Sequence, residues 1–186
     1  MDTTKLDKEM KEELIEILKE KSVRTGHFTL ASGKISDFYV DARQTTLNGR
    51  GSVLIANLIL EQLDPSITAV GGPVTGADPI TGSVISLASL RGRELGGFMV
   101  RKQAKGHGVG NWVEGLANCP KGSNICVLED TVTTGGSLLK AVHKLEELGL
   151  NVQQCIAVVD REEGARETIE GAGYSFIALT TRSELI

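Results

Sequence analysis

Two adjacent carboxylates, Glu129 and Asp130, stand directly before a turn rich in hydroxyls and glycine; residues 125–137 read Ile-Cys-Val-Leu-Glu-Asp-Thr-Val-Thr-Thr-Gly-Gly-Ser. Being anionic, the acid pair is unsuited to holding a phosphate, and it suits hydroxyls or a metal lying beside one. Free backbone N–H groups over residues 133–137, at the start of a helix, make a cradle for an anion. An acid pair next to a phosphate cradle describes a ribose 5-phosphate site. The flanking pattern positions it. Residues 125–128 are apolar and partly β-branched, as in a buried strand. Leu138, Val142, Leu145 and Leu148 recur at helical spacing before the stop signal Gly149. The turn therefore falls where a parallel strand gives way to a helix, the ligand-binding edge of an open α/β sheet.

Three further stretches carry chemistry. Residues 101–110, Arg-Lys-Gln-Ala-Lys-Gly-His-Gly-Val-Gly, place three cations and a histidine among three glycines with no apolar period. On the residues alone two readings stand level: a lid over a polyphosphate, or a solvated charge run. Trp112, just beyond, is expected to anchor the base of this loop in apolar packing. Residues 72–79, Gly-Pro-Val-Thr-Gly-Ala-Asp-Pro, repeat the strand–loop–helix pattern between a strand at 68–72 and a helix at 80–90. Asp160 and Arg161 end a strand-like run at 155–159, on the ligand side of such a sheet. An ion pair of Arg161 with Glu162, Glu163 or Glu167 is the plainer reading of that pair.

The elements that must hold these residues follow from periodicity. Leu6, Met10, Leu14, Ile17 and Leu18 mark an N-terminal helix, with Thr4 and Asp7 as a capping pair. Residues 28–43 read as a hairpin turning at Ser32-Gly33-Lys34, its aromatics Phe28, Phe38 and Tyr39 packing rather than binding. A buried helix is expected over 52–63, strands over 95–100 and 174–179, and a helix over 165–172. His143 falls on the charged face of its helix and should be solvated. Strands alternating with helices predict an α/β fold, a mostly parallel sheet flanked by helices, behind a small N-terminal helix-plus-hairpin hood. One domain is expected over residues 1–186, with the hood at about 1–47 and the core at about 48–186.

Composition narrows the function. Twenty basic and 24 acidic residues leave a net charge of −4, so neither a nucleic-acid nor a membrane surface is expected. The three cysteines show no C-x-x-C spacing; Cys126 and Cys155 sit in apolar runs, as in a reducing cytoplasm. No leader and no spanning stretch is expected. Walker and dinucleotide glycine loops, a nucleophile elbow and a His/Cys metal cluster are all missing from the sequence. Without a nucleophile, direct displacement aided by electrostatics and positioning is the chemistry that remains.

Residues 127–137, Val-Leu-Glu-Asp-Thr-Val-Thr-Thr-Gly-Gly-Ser, resemble the phosphoribosyl pyrophosphate (PRPP) motif of type I phosphoribosyltransferases. Arg101-Lys-x-x-Lys-x-His-Gly108 resembles the lid loop of one branch, the orotate phosphoribosyltransferases, and Phe28-Thr-Leu-x-Ser-Gly33 and Asp160-Arg161 match that branch too. The resemblance runs from about Gly26 to the end of the sequence. It implies that PRPP and orotate give orotidine 5′-monophosphate and pyrophosphate, a step of pyrimidine biosynthesis. Glu129 and Asp130 would then hold the ribose hydroxyls, while Thr131, Val132, Thr133, Thr134, Gly135, Gly136 and Ser137 wrap the 5-phosphate. Arg101, Lys102, Lys105 and His107 would neutralise the departing pyrophosphate, and Lys105 and Asp130 are the catalytic candidates. Thr133 and Arg161 match the positions that contact orotate; Mg²⁺ would ride mainly on the pyrophosphate, with no protein ligand set. The family's lid closes over the neighbouring subunit's site, which implies a homodimer. Two family cations are missing: Ala31 stands where many members carry lysine, and Thr75-Gly76 where some carry Tyr-Lys. Lys34 is not expected to replace them by direct contact. A phosphoribosyltransferase for another nucleobase, or a PRPP- or nucleotide-sensing regulator on the same fold, are the alternatives.

Overall fold

The computed structural model describes residues 3–29, 35–103 and 112–186. Helix α1 (Thr3–Lys21) buries Leu14 and Leu18 completely, while Leu6 stays 39% exposed. Thr4 lies inside this helix rather than at its N-cap, and Asp7 keeps a buried oxygen without a partner. Strands β1 (Val23–Thr29) and β2 (Ile35–Val40) pair antiparallel from Val23↔Val40 to Thr29↔Ile35. The expected hairpin is present, although β1 begins before Phe28 and a bulge separates Thr25 from Phe28. Its turn, including Ala31 and Lys34, lies outside the described residues. Helix α2 (Arg43–Thr46) leads into α3 (Gly49–Gln62), where the Asn48 side chain caps the first turn by accepting from the Gly51 N–H at 3.0 Å.

Strand β3 (Ala69–Pro73), helix α4 (Ala77–Leu90), strands β4 (Gly96–Val100), β5 (Val113–Glu114) and β6 (Asn124–Val132) follow. Helix α5 (Gly136–Glu147), strand β7 (Asn151–Asp160), helix α6 (Ala165–Gly171), strand β8 (Ser175–Thr181) and helix α7 (Arg182–Leu185) complete the chain. The six-stranded sheet runs β5-β4-β3-β6-β7-β8, and only the short β4–β5 pair is antiparallel. The α/β, mostly parallel architecture is thus the one that the alternating pattern predicts.

Successive residues of β6 serve opposite faces of the sheet. Cys126 and Leu128 join an apolar cluster with Leu14, Phe38, Leu54, Ile80 and Leu185. Ile125 and Val127 join a second with Leu138, Val142, Ile169 and Phe176. Both faces are covered, which is why the strand reads as an unbroken apolar run. In β3 a Cβ on Gly71 would lie 2.0 Å from Phe98 O, and one on Gly72 1.9 Å from Leu128 O. Only glycine lets β3 sit this close to its neighbours.

Three local expectations are corrected. Helix α4 starts at Ala77, putting Asp78 and Pro79 in its first turn rather than in the loop; proline fits there because the first N–H groups of a helix have no intrahelical acceptor. Leu148 is the C-cap of α5 and 40% exposed, beyond the stripe formed by Leu138, Val142 and Leu145. Strand β6 extends to Val132, so the acid pair, Thr131 and Val132 all lie within a strand that was expected to end at Leu128. Among the described residues no helix is long and apolar enough to cross a membrane.

Candidate active site

Four chain segments converge at the C-terminal edge of the parallel sheet around a cavity of about 300 Å³. Tyr39, Asp41 and Arg43 come from the exit of β2, and Thr75 and Gly76 from the loop between β3 and α4. Lys102 follows β4; Glu129, Asp130, Thr131 and Ser137 come from β6 and the start of α5. Of the hairpin aromatics, Phe38 is core at 1% exposure while Tyr39 reaches the cavity, so packing alone does not describe them all.

The acid pair is held by its own backbone. The Asp130 N–H donates to Glu129 Oε1 at 3.3 Å and the Thr131 N–H to Asp130 Oδ1 at 2.7 Å. Glu129 is only 8% exposed. Burial, reinforced by the charge of Asp130, pushes its carboxyl up to about 8, and Lys102 works in the opposite direction. Burial also raises Asp130, against the hydrogen bonds from Thr131 and Glu129 and the charge of Arg43. The pair therefore keeps hydrogen-bonding capacity unused by the protein, open to hydroxyl groups brought into the cavity. Gly76 faces it closely: a Cβ there would sit 2.5 Å from Asp130 Oδ1. The preceding Val74–Thr75 peptide is cis.

Arg43 was missed in the sequence. Its Nε donates to Asp41 Oδ1 at 2.8 Å, and Gln44 reaches Asp41 Oδ2 at 3.3 Å. The Arg43 guanidinium holds Asp41 below the usual carboxylate range, and Asp41 in turn raises Arg43. The available signal was the Asp41-Ala-Arg43 sequence at the end of a strand, where a charged pair lies on the ligand side.

Beyond the acids, Val132 is 2% exposed, so its side chain belongs to the core and only its backbone is left for a ligand. Thr133, Thr134 and Gly135 connect to α5 without lining the cavity. Gly135 has φ +81°, and a Cβ on it would meet Ile169 at 3.1 Å and Ala165 O at 3.2 Å. The N–H groups of Thr133, Thr134, Gly135, Gly136 and Ser137 donate no hydrogen bond among the described residues. Thr131 Oγ1 is buried and also unpartnered. Free amides thus stand at a helix start, next to an unsatisfied hydroxyl, where the sequence leads one to expect an anion cradle.

Arg161 sits apart from this cavity. Its N–H donates to Val132 O at 3.0 Å, while Nη2 pairs with Glu163 at 2.8 Å, leaving the side chain 11% exposed. The ion pair weighed from the sequence is formed, with Glu163 as the partner, yet Arg161 Nε is buried without an acceptor. Glu162 braces the same loop: its φ is +57°, its N–H donates to Asp160 Oδ1, and its carboxylate accepts from Ser183 N at 2.8 Å.

Lys105 and His107 lie outside the described residues. Arg101 pairs with Glu114 at 2.9 Å, and its N–H donates to Trp112 O at 2.8 Å. Trp112 is 38% exposed with the Lys144 ammonium 5.0 Å from the ring centroid. The expected apolar anchoring is therefore corrected: backbone pairing, not the indole, closes the base of that loop. The His143 side chain is 61% exposed, as expected. No group of three or more His, Cys, Asp or Glu among the described residues is placed to hold a metal ion.

Comparison with known proteins agrees with this geometry. The phosphoribosyl transferase domain family matches residues 50–174. An orotate phosphoribosyltransferase of Thermosynechococcus vestitus is 40% identical over 177 residues, covering 95% of this chain and 93% of the relative. Mycobacterium tuberculosis orotate phosphoribosyltransferase, solved with Fe(III) dicitrate, superposes with a TM-score of 0.83 at 39% identity, covering 95% of this chain and 98% of that one. The same enzyme solved with PRPP gives a TM-score of 0.79 at 36% identity, with the same coverage. With its acid pair, its anion cradle and near-complete coverage by these relatives, the chain belongs to the orotate phosphoribosyltransferase family of phosphoribosyl transferase domain proteins.

Proposed function

We propose that the chain transfers the 5-phosphoribosyl group of PRPP to orotate, forming orotidine 5′-monophosphate and pyrophosphate for pyrimidine biosynthesis. One observation carries this reading: the two carboxylates line one cavity together with Ser137, the last of five residues at the start of α5 whose amides donate no hydrogen bond among the described residues. In the transfer the bond from the ribose anomeric carbon to pyrophosphate oxygen breaks and one to a ring nitrogen of orotate forms, the proton of that nitrogen leaving with the pyrophosphate. Glu129 and Asp130 accept from the ribose hydroxyls, and Asp130 favours the positive charge developing on the sugar. The loop Thr131–Ser137 binds the 5-phosphate through backbone N–H groups. Arg101, Lys102, Lys105 and His107 meet the pyrophosphate, and Arg43 adds a cation where the family's lysines are lacking. Thr133 and Arg161 take orotate, whose carboxylate matches a guanidinium in a way that uracil cannot.

Mg²⁺ suits this site as a passenger on the pyrophosphate. The described residues offer no three-ligand cage, while Glu129 and Asp130 would meet its water shell. When bound, the ion would spread the charge of the leaving pyrophosphate. We further propose a homodimer in which the 101–110 segment serves the neighbouring site. A reducing cytoplasm suits three cysteines that are all free and buried. The single-domain reading is supported by Leu14 and Phe38 of the hood sharing one apolar cluster with Val70 and Leu128 of the sheet.

The test is purified protein with PRPP and Mg²⁺, offered orotate, uracil and hypoxanthine in turn. Consumption of orotate alone is expected. Turnover of hypoxanthine or uracil instead would select another nucleobase, and PRPP binding without any turnover would select a sensor.

A further inference from the structure

Beside the cavity at the acid pair lies a larger one of about 630 Å³, sharing Pro73, Lys102 and Ser137 with it. Its volume falls within the range of small-molecule sites, roughly 300–1,000 Å³. The other walls are the end of β4, the Trp112 ring and one face of α5, where Lys140 and Lys144 stand a turn apart. Four cations line this chamber and no carboxylate does among the described residues, although the chain as a whole carries −4. Arg101 and Lys144 are neutralised from the rim by Glu114 and Glu147, at 2.9 and 2.7 Å. Lys102 and Lys140 make no ion pair among the described residues. Opposite them an indole is left 38% exposed in a concave wall, with one ammonium over its ring.

A solvated helix face accounts for lysines, but not for an open indole that closes the same chamber. A flat apolar ring beside unneutralised ammonium groups complements a ligand that carries an aromatic ring at one end and phosphate at the other. We propose that this chamber binds a nucleoside phosphate, the base against Trp112 and the phosphates on Lys140 and on a Lys144 drawn away from Glu147, while the neighbouring cavity is occupied separately.

Trp112 is the only tryptophan in the chain, so its emission reports this chamber directly. ADP is the probe and inorganic pyrophosphate the control, each titrated with and without saturating PRPP. Saturable quenching by ADP that persists with PRPP is expected. Lys140→Ala/Lys144→Ala should weaken ADP about tenfold or more and leave KM for PRPP unchanged. Quenching erased by saturating PRPP would place ADP in the neighbouring cavity and overturn the proposal. Equal affinity for pyrophosphate would overturn the role of the base; no ADP binding by dialysis would overturn the site. If PRPP itself does not bind, the reading of the acid-pair cavity fails, while the ADP titration and the lysine variant still decide this one.

Discussion

Replacing Glu129 with glutamine should make the ligand-free protein more stable, and increasingly so as the pH rises. The carboxyl is raised from 4.5 to about 8 because burial and the neighbouring Asp130 oppose its ionisation. Folded chain therefore holds this proton more tightly than unfolded chain. The resulting stabilisation is fully present below about pH 4.5 and is lost as pH rises through 8. Each pH unit across that interval corresponds to about 1.4 kcal/mol, so the ceiling on the loss is about 5 kcal/mol. Asp130 titrates in the same space and Lys102 offsets part of the effect, so about 2 kcal/mol is the expected share. Glutamine keeps the shape and the acceptor for the Asp130 N–H without the charge. The assay is urea unfolding of both proteins at about pH 5 and about pH 8.5, where 2 kcal/mol corresponds to about 1 M in the midpoint. The variant's advantage should grow by that amount between the two conditions, the other carboxylates cancelling in the comparison. An advantage that is equal at both pH values, or larger in acid, refutes the assignment of a strained carboxylate. The same variant should lose most of its turnover, because its amide cannot take up the negative charge that the carboxylate offers to ribose hydroxyls.

Three further outcomes are expected. Gly76→Ala keeps an ordinary helical backbone, φ −66° and ψ −41°, but its methyl would displace the Asp130 carboxylate; KM for PRPP should rise about tenfold with the unfolding midpoint little changed, and unaltered kinetics would remove Asp130 from the site. Arg161→Gln should raise KM for orotate about a hundredfold, the loss of a charge-assisted pair, while KM for PRPP stays within a factor of about two; a parallel rise in both would assign Arg161 to the structure of its loop. Lys105→Ala should cut turnover far more than PRPP binding, and hybrid dimers of Lys105→Ala with Asp130→Asn protomers should regain activity. Verified hybrids with none would argue against a shared lid.

Much of this was readable from the residues because periodic burial leaves a trace. Strands covered on both faces read as apolar runs, and α5 shows its stripe through Leu138, Val142 and Leu145. The acid pair and its turn were legible since their chemistry depends on types adjacent in sequence. What was not legible depends on long-range approach. Arg43 enters the site only because the exit of β2 folds over the end of β6, ninety residues away by order of magnitude. Nothing local to Trp112 announces that Lys144 of a distant helix will cover its ring. Strand β5 and helix α7, of two and four residues, are too short to display a period at all. The extension of β6 to Val132 was hidden because polar residues at a strand's end look like a turn until a neighbouring strand pairs with them, as β7 does up to Asp160.

The joint between β4 and β5 carries an evolutionary consequence. Met99 faces Glu114, Val100 faces Val113, and the Arg101 N–H reaches Trp112 O. The two ends of the intervening segment therefore meet at the edge of the sheet, independently of how many residues lie between them. Closing such a loop costs only about 0.6 kcal/mol more for each doubling of its length. Changes in the number of residues between Gln103 and Trp112 should accordingly spare the stability of the sheet, whatever they do to Lys105 and His107. Gly71 and Gly72, walled in by the carbonyls of Phe98 and Leu128, have no such freedom. The scaffold thus separates a segment whose length the sheet does not constrain from a strand in which almost nothing can change.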